Sequence, residues 1–299
     1  MEYLVGNDFD LKNTCVTFGS FDGVHRGHQR VINKLLEVAR QGLTSVVLSF
    51  EYDQALLGEQ KILSTELEKR YLLQQYNPDV LISYIIDETN KDMPAEDFIR
   101  EILVNKLGAK VIISGKDSSN ITVLRQCAEK FGYELLECDT VYDDGEPVTS
   151  KRIVKELANG NLQKANELLG HPYLFVGTVM HGKALGRTVG MPTANISFHE
   201  SKQLPVHGVY GTLSEIDGRK VKGLTNIGRR PSVDNFNYVT IEAFLLDFSG
   251  DLYDKTITLE IHAYIRGVMK FNNLAEVKAQ VNRDQESIRA YFDNMRLPG

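Results

Sequence analysis

The spacing of apolar and polar residues differs between the two halves of this 299-residue chain. In the first half, short apolar runs that predict buried strands are separated by amphipathic stretches with helical spacing. The predicted strands span residues 14–18, 45–50, 80–86, 111–114 and 133–137, and the predicted helices span residues 29–40, 65–75, 95–107 and 120–131. Strands and helices that alternate in this way predict a parallel sheet with helices on both faces.

A transition follows, with two predicted short helices at residues 151–158 and 162–169, and after residue 172 the chain becomes rich in strands. The predicted strands span residues 173–179, 209–216, 220–227, 238–246 and 256–265, and a closing helix is predicted at residues 273–295. Strands that follow one another without helices predict an antiparallel barrel or sandwich. We therefore predict two domains, residues 1–170 and 171–299.

Composition narrows the class of protein without identifying a function. The chain is 42% hydrophobic and 25% charged, which is typical of a globular protein. It has no apolar run near the roughly 20 residues that span a bilayer, and its first residues do not resemble a secretory signal. Its three cysteines have neither metal-ligand spacing nor the even count of a disulfide framework. We expect a cytoplasmic protein without a membrane partner, and the net charge of −6 argues against nucleic-acid binding.

Residues 182–195 form the most informative segment of the chain. They include three closely spaced glycines, Gly182, Gly186 and Gly190. Glycine allows backbone N–H groups to approach an anion closely, and Arg187 adds a guanidinium suited to phosphate. After Pro192, the side chains of Thr193 and Asn195 offer oxygen ligands suited to magnesium. These residues predict a site for a magnesium–nucleotide complex, although an ordinary glycine-rich connection between two strands fits the spacing equally well.

Two segments of the chain resemble signatures of one bacterial enzyme family. Residues 182–195 (GKALGRTVGMPTAN) resemble the signature of riboflavin kinase, and residues 17–28 (TFGSFDGVHRGH) resemble the opening motif of FMN adenylyltransferase. Because both occur in the order found in bacterial bifunctional FAD synthetases, the chain is identified by resemblance as a member of that family. The resemblance implies a nucleotidyltransferase-like parallel α/β domain, followed by a riboflavin-kinase-like antiparallel β-barrel with a C-terminal helix.

The resemblance implies an ATP site in the first domain. His25 and His28 would contact the ATP phosphates at the N-terminus of a helix, where the helix dipole favours anions. Gly23 and Gly27 would admit the phosphates closely. The residues implied to bind nucleotide in this domain are Gly19, Phe21, Asp22, Gly23, His25, Gly27 and His28. Taken as an isolated pair, the two histidines would more often cap or pack a surface helix.

The first domain departs from the family pattern at three places. The family's Pro-His-Pro element after the second strand is replaced by residues 49–54 (SFEYDQ), and its aromatic-glycine-arginine run is replaced by residues 118–122 (SSNIT). Val154 stands where the family's Ser-Ser-x-x-Ile-Arg element ends in arginine. Lys151 or Arg152 could supply that charge only from a different direction on the helix. These losses affect groups expected to hold FMN, so we predict reduced or lost FMN adenylyltransferase activity.

The kinase half keeps its expected residues better. By resemblance, Glu242 lies on the strand whose glutamate is the proposed base, which accepts the proton of the riboflavin alcohol during phosphoryl transfer. Strand alternation places Glu242 on one face with Phe244 and Leu246. Without the resemblance, a solvent-exposed glutamate on a barrel rim would be the preferred interpretation. The residues implied to bind nucleotide are Gly182, Gly186, Arg187, Gly190, Thr193, Asn195 and Asn226, and the implied metal ligands are Thr193 and Asn195.

One departure in the kinase half lies near the expected flavin pocket. Residues 267–269 (GVM) stand where the family commonly has an acidic residue before Lys-Phe, which leaves flavin affinity and selectivity unpredicted. Three functions therefore stay open: a riboflavin kinase with little or no adenylyltransferase activity, a fully bifunctional FAD synthetase, and a non-catalytic flavin or nucleotide sensor. The presence of Thr193, Asn195 and Glu242 argues against the sensor. We predict the first function, with Mg²⁺, ATP, riboflavin and FMN as ligands and with no prediction of oligomeric state.

Overall fold

The computed structural model describes residues 1–181, 193–230 and 238–295. Its contacts divide the chain into two compact units. The first contains Met1–Val154 and Leu168–Gly170, and the second contains Lys155–Glu167 and His171–Gly299. The predicted boundary at residue 170 places residues 155–167 in the first domain, whereas the contacts group them with the second unit. We keep that boundary as a prediction.

The first unit is built on a six-stranded sheet in which all neighbouring strands are parallel. Its strands are β1 (Glu2–Val5), β2 (Thr14–Gly19), β3 (Thr44–Tyr52), β4 (Val80–Ile86), β5 (Ala109–Gly115) and β6 (Glu134–Cys138), in the order β1-β4-β3-β2-β5-β6. The predicted parallel sheet is confirmed. The structure adds β1, an edge strand of four partly exposed residues that lacks the apolar run of the other strands.

Helices connect the strands of this sheet. They are α1 (Arg26–Ala39), α2 (Gln54–Leu57), α3 (Glu66–Leu73), α4 (Ala95–Asp97) with its π-helical continuation (Phe98–Lys106), and α5 (Ile121–Phe131). A two-stranded hairpin, β7 (Tyr142–Asp143) and β8 (Glu146–Pro147), is followed by α6 (Ser150–Ala158) and α7 (Leu162–Leu169). Helix α1 begins at Arg26, earlier than the predicted start at residue 29, so His28 lies in its first turn.

The second unit contains a closed antiparallel barrel of six strands, which decides between the predicted barrel and sandwich in favour of the barrel. The strands are β9 (Tyr173–Met180), β10 (Thr193–Ile196), β11 (Gly208–Ile216), β12 (Arg219–Arg230), β13 (Tyr238–Leu245) and β14 (Thr256–Arg266). They follow the order β10-β13-β12-β11-β14-β9, and pairing of β9 with β10 closes the ring. The closing helix, α8 (Leu274–Asn294), agrees with the predicted helix at residues 273–295.

Helix α8 covers part of the outer face of the barrel. Ile288 and Phe292 of the helix are buried against Val209, Leu213 and Leu224 of the strands and against Leu246, which directly follows β13. A glycine on β11 makes this contact possible, because a Cβ at Gly211 would lie 1.7 Å from Ile288 Cδ1. Gly211 therefore sets how closely α8 approaches the barrel.

We expect Gly211→Ala to destabilise the protein by about 1–3 kcal/mol, the usual cost of an extra methyl group in a well-packed core. Urea unfolding would measure the loss. Ile288→Val removes the Cδ1 atom that the new methyl group meets, and alone it should cost about 0.5–1.5 kcal/mol. The double variant should lose less stability than the sum of the two single variants. Additive losses would contradict the contact between Gly211 and Ile288.

Candidate active sites

The segment that follows β2 has a strained backbone. Phe21 and Val24 have φ angles of 45° and 41°, and Gly23 lies between them with a φ of 81°. A positive φ is costly for a β-branched residue such as Val24, and strain of this kind persists only where the surroundings hold it. A Cβ at Gly23 would also lie 2.8 Å from Leu63 Cδ1. Position 23 therefore needs glycine for both its backbone and its packing.

Asp22 holds this segment in place. Its carboxylate accepts the backbone N–H groups of Leu63 and Ser64, at 2.8 and 2.9 Å. Its carbonyl accepts the hydroxyl of Ser150 at 2.8 Å. These bonds join the segment to two parts of the chain that lie far away in sequence, so they fix the direction in which it enters α1.

His25 and His28 meet at the N-terminus of α1. His25 Nδ1 accepts the N–H of Gly27 at 3.2 Å, which caps the helix and leaves the proton of a neutral His25 ring on Nε2. The rings of His25 and His28 stack with their centroids 3.6 Å apart, and the ring of Phe21 meets His28 edge-on at 5.3 Å. A Cβ at Gly27 would lie 3.0 Å from the His25 ring, so the glycine leaves room for this arrangement.

The surroundings of His28 keep its ring uncharged. Burial lowers the pKa of His28 well below its ordinary value, and His25 and Lys69 lower it further by electrostatic repulsion. Within the described part of the chain, His28 Nδ1 is enclosed and has no hydrogen-bond partner. His28 is therefore a neutral imidazole at physiological pH, and the helix N-terminus rather than a charged ring supplies the attraction for an anion.

A cavity of about 360 Å³ opens beside these histidines. Five of the seven residues predicted to bind nucleotide line it, namely Gly19, Phe21, His25, Gly27 and His28. The other two, Asp22 and Gly23, lie outside the lining and shape the segment that carries Phe21 and His25. The lining also contains residues that were not predicted, Ser114, Asp117, Asp139 and Thr140. They lie near the carboxyl ends of β5 and β6. Parallel sheets bind ligands at this edge, so the predicted positions of the two strands could have indicated these residues.

Arg152 is engaged in a contact of its own. Its guanidinium donates to the carbonyl of Asp143 at 3.0 Å and to the carboxylate of Asp143 at 3.2 Å. It also donates to the carbonyl of Glu146 at 3.2 Å, and only 13% of its side chain is exposed. These bonds tie α6 to the hairpin of β7 and β8. Val154 stands where the family has an arginine. The guanidinium of Arg152 could replace the charge of that arginine, but these bonds already occupy it.

In the second unit, three predicted residues come together on adjacent strands. Asn195 of β10 lies opposite Glu242 of β13, and Glu242 lies opposite Asn226 of β12. Residues that lie directly opposite one another on antiparallel strands point to the same face of the sheet. Thr193, two residues before Asn195, shares that face. The structure thus brings Thr193, Asn195, Glu242 and Asn226 to one surface of the barrel.

This surface is the outer face of the barrel. Ile241, Ala243 and Leu245 alternate with Glu242 along β13 and are buried, whereas Glu242 is half-buried. Phe244, on the same face as Glu242, packs against the cluster beneath α8. The alternation agrees with the predicted one. Thr240, two residues before Glu242, donates its hydroxyl to Glu242 Oε1 at 3.3 Å.

The rest of the predicted kinase site is only partly described. Thr193 lines a cavity of about 290 Å³ together with Ala194, Phe248 and Tyr253. The remaining predicted nucleotide-binding residues, Gly182, Gly186, Arg187 and Gly190, lie outside the described residues. Residues 267–269 form the segment that departs from the family pattern. Val268 and Met269 expose 64% and 47% of their surface, so this segment presents apolar rather than acidic side chains.

The outer-face residues fit a magnesium ion that is bound together with a nucleotide. Magnesium usually keeps most of its ligands from water and phosphate and takes one or two from protein oxygens. Thr193 and Asn195 offer such oxygens, and Glu242 lies opposite Asn195. Residues 1–181, 193–230 and 238–295 contain no cluster of three or more His, Cys, Asp or Glu side chains suited to a metal ion.

Two family models match separate parts of the chain. A family model described as FAD synthetase matches residues 8–152, and one described as riboflavin kinase matches residues 169–292. No helix in the described part of the chain is long and apolar enough to cross a membrane. A solved structure from Streptococcus pneumoniae, described as a macrolide-efflux protein, is 26% identical with a TM-score of 0.83 and covers 97% of this chain and 99% of its own.

Curated relatives extend over nearly the whole chain. The bifunctional riboflavin kinase/FMN adenylyltransferase of Haemophilus influenzae is 33% identical, and the match covers 95% of this chain and 96% of the relative. The protein of the same name from Bacillus subtilis is 32% identical, with 95% and 94% covered. On this evidence, the chain belongs to the bifunctional riboflavin kinase/FMN adenylyltransferase family.

Proposed function

We propose that the chain converts riboflavin to FMN with MgATP, using Glu242 as the base. The observation that carries the proposal is the row of Asn195, Glu242 and Asn226, which lie in register across three neighbouring strands with Thr193 on the same face. The riboflavin kinase model that matches residues 169–292 supports the same activity.

Phosphoryl transfer depends on alignment and on neutralising charge. In the proposed reaction, the Glu242 carboxylate accepts the proton of the primary alcohol of riboflavin while the alcohol oxygen bonds to the γ-phosphorus. The bond between that phosphorus and the bridging oxygen breaks, and ADP leaves. Thr193 and Asn195 would hold a magnesium ion, which would supply positive charge beside the phosphates. The hydroxyl of Thr240 orients the carboxylate through its bond to Glu242 Oε1.

We expect Thr193→Ala and Asn195→Ala each to raise the KM for MgATP by at least the roughly 10–100-fold that loss of a supporting contact costs a metal site. Both changes remove an oxygen and leave the partly exposed strand otherwise intact, so the melting temperature should change little. Steady-state kinetics and thermal unfolding would measure the two effects. Thr256→Ala, on an exposed position of β14, is the matched control and should leave KM unchanged. Unfolding of either variant would show that its residue is structural.

For the first unit we propose ATP binding with reduced or lost FMN adenylyltransferase activity. The stacked histidines at the N-terminus of α1 and the cavity beside them support ATP binding. The replaced Pro-His-Pro element, the replaced aromatic-glycine-arginine run and Val154 support the loss of groups that hold FMN. The engagement of Arg152 with Asp143 removes one candidate for replacing them.

Full bifunctionality is the second candidate function. It is favoured by the FAD synthetase model over residues 8–152 and by the names of the full-length relatives. Incubation of the chain with riboflavin, ATP and magnesium, followed by chromatography of the flavins, separates the possibilities. FMN alone supports the proposed function, and FMN followed by abundant FAD supports full bifunctionality. Unchanged riboflavin would contradict both and favour a sensor.

A further inference from the structure

The position of the missing Pro-His-Pro element holds a buried ion pair. Glu51, near the end of β3, lies 2.6 Å from Lys69 Nζ of α3, and the two side chains are only 14% and 7% exposed. The start of α3 is fixed by a capping box in which Thr65 and Glu68 bond to each other's backbone N–H groups. Lys69 directly follows Glu68, so the capped first turn of α3 fixes its position.

The ammonium group of Lys69 is fully bonded. In addition to Glu51, it donates to the carbonyl of Phe50 at 2.8 Å and to the carbonyl of Ser20 at 3.3 Å. An ammonium has three N–H groups, and these three acceptors use all of them. Glu51 also accepts the hydroxyl of Ser49 at 3.0 Å. Burial of two charges is costly unless they are paired and bonded in this way, so the pair forms one polar unit that joins the end of β3 to the residue after β2.

This unit acts on the strained segment that carries the histidines. Ser20 directly precedes Phe21, whose φ of 45° is positive. Asp22 anchors the same segment from the other side through its bonds to residues 63 and 64, which immediately precede the cap of α3. Lys69 also lowers the pKa of His28 electrostatically, after the larger effects of burial and of His25.

We propose that Lys69, held by Glu51, is a positioning residue for the nucleotide of the first unit: through its bond to the carbonyl of Ser20 it fixes the segment between Ser20 and Val24, which leads into the histidines. The inference rests on the proposed binding of ATP at this cavity. Lys69 acts through the segment and through His28, since the cavity lining contains Ser20 and His28 but neither Lys69 nor Glu51. The ion pair therefore occupies the position of the family's Pro-His-Pro element, which this chain lacks.

The charge effect is tested in the full-length protein without ligand. The pH titration of the His28 ring is followed by NMR and assigned by comparison with His28→Gln. Lys69→Met/Glu51→Gln removes both buried charges together, so it avoids leaving one charge unpaired, and Lys69→Met alone serves as a second variant. The matched control is Lys34→Met/Glu37→Gln, which removes an exposed pair of the same kind, 2.9 Å apart, on α1.

We expect the titration of His28 to move to higher pH in Lys69→Met, because a positive neighbour that disfavours protonation is lost. The shift should be smaller in the double variant, which loses the negative charge of Glu51 as well. The control should titrate as the parent protein does. A merely structural lysine would not move this midpoint in a variant that keeps its fold by circular dichroism. An unchanged midpoint in folded Lys69→Met would overturn the electrostatic effect of Lys69 on His28.

The positional effect is tested by ATP binding. The measurement uses the full chain carrying Thr193→Ala and Asn195→Ala, in which we expect ATP binding at the kinase site to be weakened. In this background the double variant at Lys69 and Glu51 should raise the Kd for ATP on the order of 10-fold, since the site is displaced rather than removed, while the control leaves it unchanged. Equal Kd values would overturn the positioning role. Absence of ATP binding by the parent background, together with a shifted His28 titration, would overturn the proposed nucleotide site while supporting the effect of Lys69 on His28.

Discussion

Replacing Glu242 by glutamine should lower the turnover of riboflavin by roughly 10²–10⁴-fold, the usual contribution of a general base. Glutamine keeps the shape of the side chain and can still accept the hydroxyl of Thr240, but it does not take a proton from the substrate alcohol. The KM for MgATP should stay close to that of the parent, because the oxygens of Thr193 and Asn195 are retained. Initial rates of FMN formation at saturating substrates would measure the loss.

A matched glutamate makes this test specific. Glu215 lies at an exposed position of β11, in the same barrel. Glu215→Gln makes the same chemical change and should leave turnover unchanged. Equal turnover in the parent and in Glu242→Gln would remove Glu242 from the mechanism, and equal losses in both glutamine variants would indicate a general effect of charge rather than a base.

FMN supplied with ATP and magnesium should yield FAD at a rate at least about 10²-fold below the rate of riboflavin phosphorylation. Misplacement of a reacting group by about 1 Å can cost on the order of 10²-fold, and three elements expected to align FMN are replaced in this chain. ATP should nevertheless bind the first unit, because the histidines, the helix N-terminus and the cavity are present. Chromatography of the flavins and calorimetric titration with ATP would measure the two quantities.

Two sets of variants assign the bound ATP to its sites. We expect two ATP molecules per chain in the parent. Combined Thr193→Ala and Asn195→Ala should weaken one of them, and His25→Ala with His28→Ala should weaken the other. FAD formation as fast as riboflavin phosphorylation would contradict the proposed loss of adenylyltransferase activity and establish full bifunctionality.

Buried segments of the fold could be predicted more closely than exposed ones. The strand at residues 80–86 has the bounds predicted for it, because a fully buried parallel strand is a continuous apolar run. Strand β10 has no such signal, since its four residues include Thr193 and Asn195. The start of α1 is equally difficult to predict from hydrophobic spacing, because its cap is His25 and its first turn contains Gly27. Polar or glycine-containing ends carry little hydrophobic periodicity, and these ends are where the candidate sites lie.

The sites themselves could be predicted as sets of residues but not as contacts. Glu242, Asn195 and Asn226 were each indicated by local pattern and resemblance, yet their common face follows only from the register of β10, β13 and β12. The role of Asp22 is similar, because its partners Leu63 and Ser64 lie about forty positions further along the chain. The sequence around Lys69 has no pattern that indicates a functional role. Its significance depends on the packing of α3 against the ends of β2 and β3.

Transfer of a labelled γ-phosphate from ATP to riboflavin is the most direct test of the proposed function. The full-length chain would be incubated with riboflavin, magnesium and ATP labelled at the γ-phosphate, and the flavins would be separated over a time course. The proposed function predicts labelled FMN from the earliest times, in amounts equal to the ADP released, with FAD at trace levels. Unlabelled riboflavin as the only flavin, in protein that binds both substrates, would contradict it.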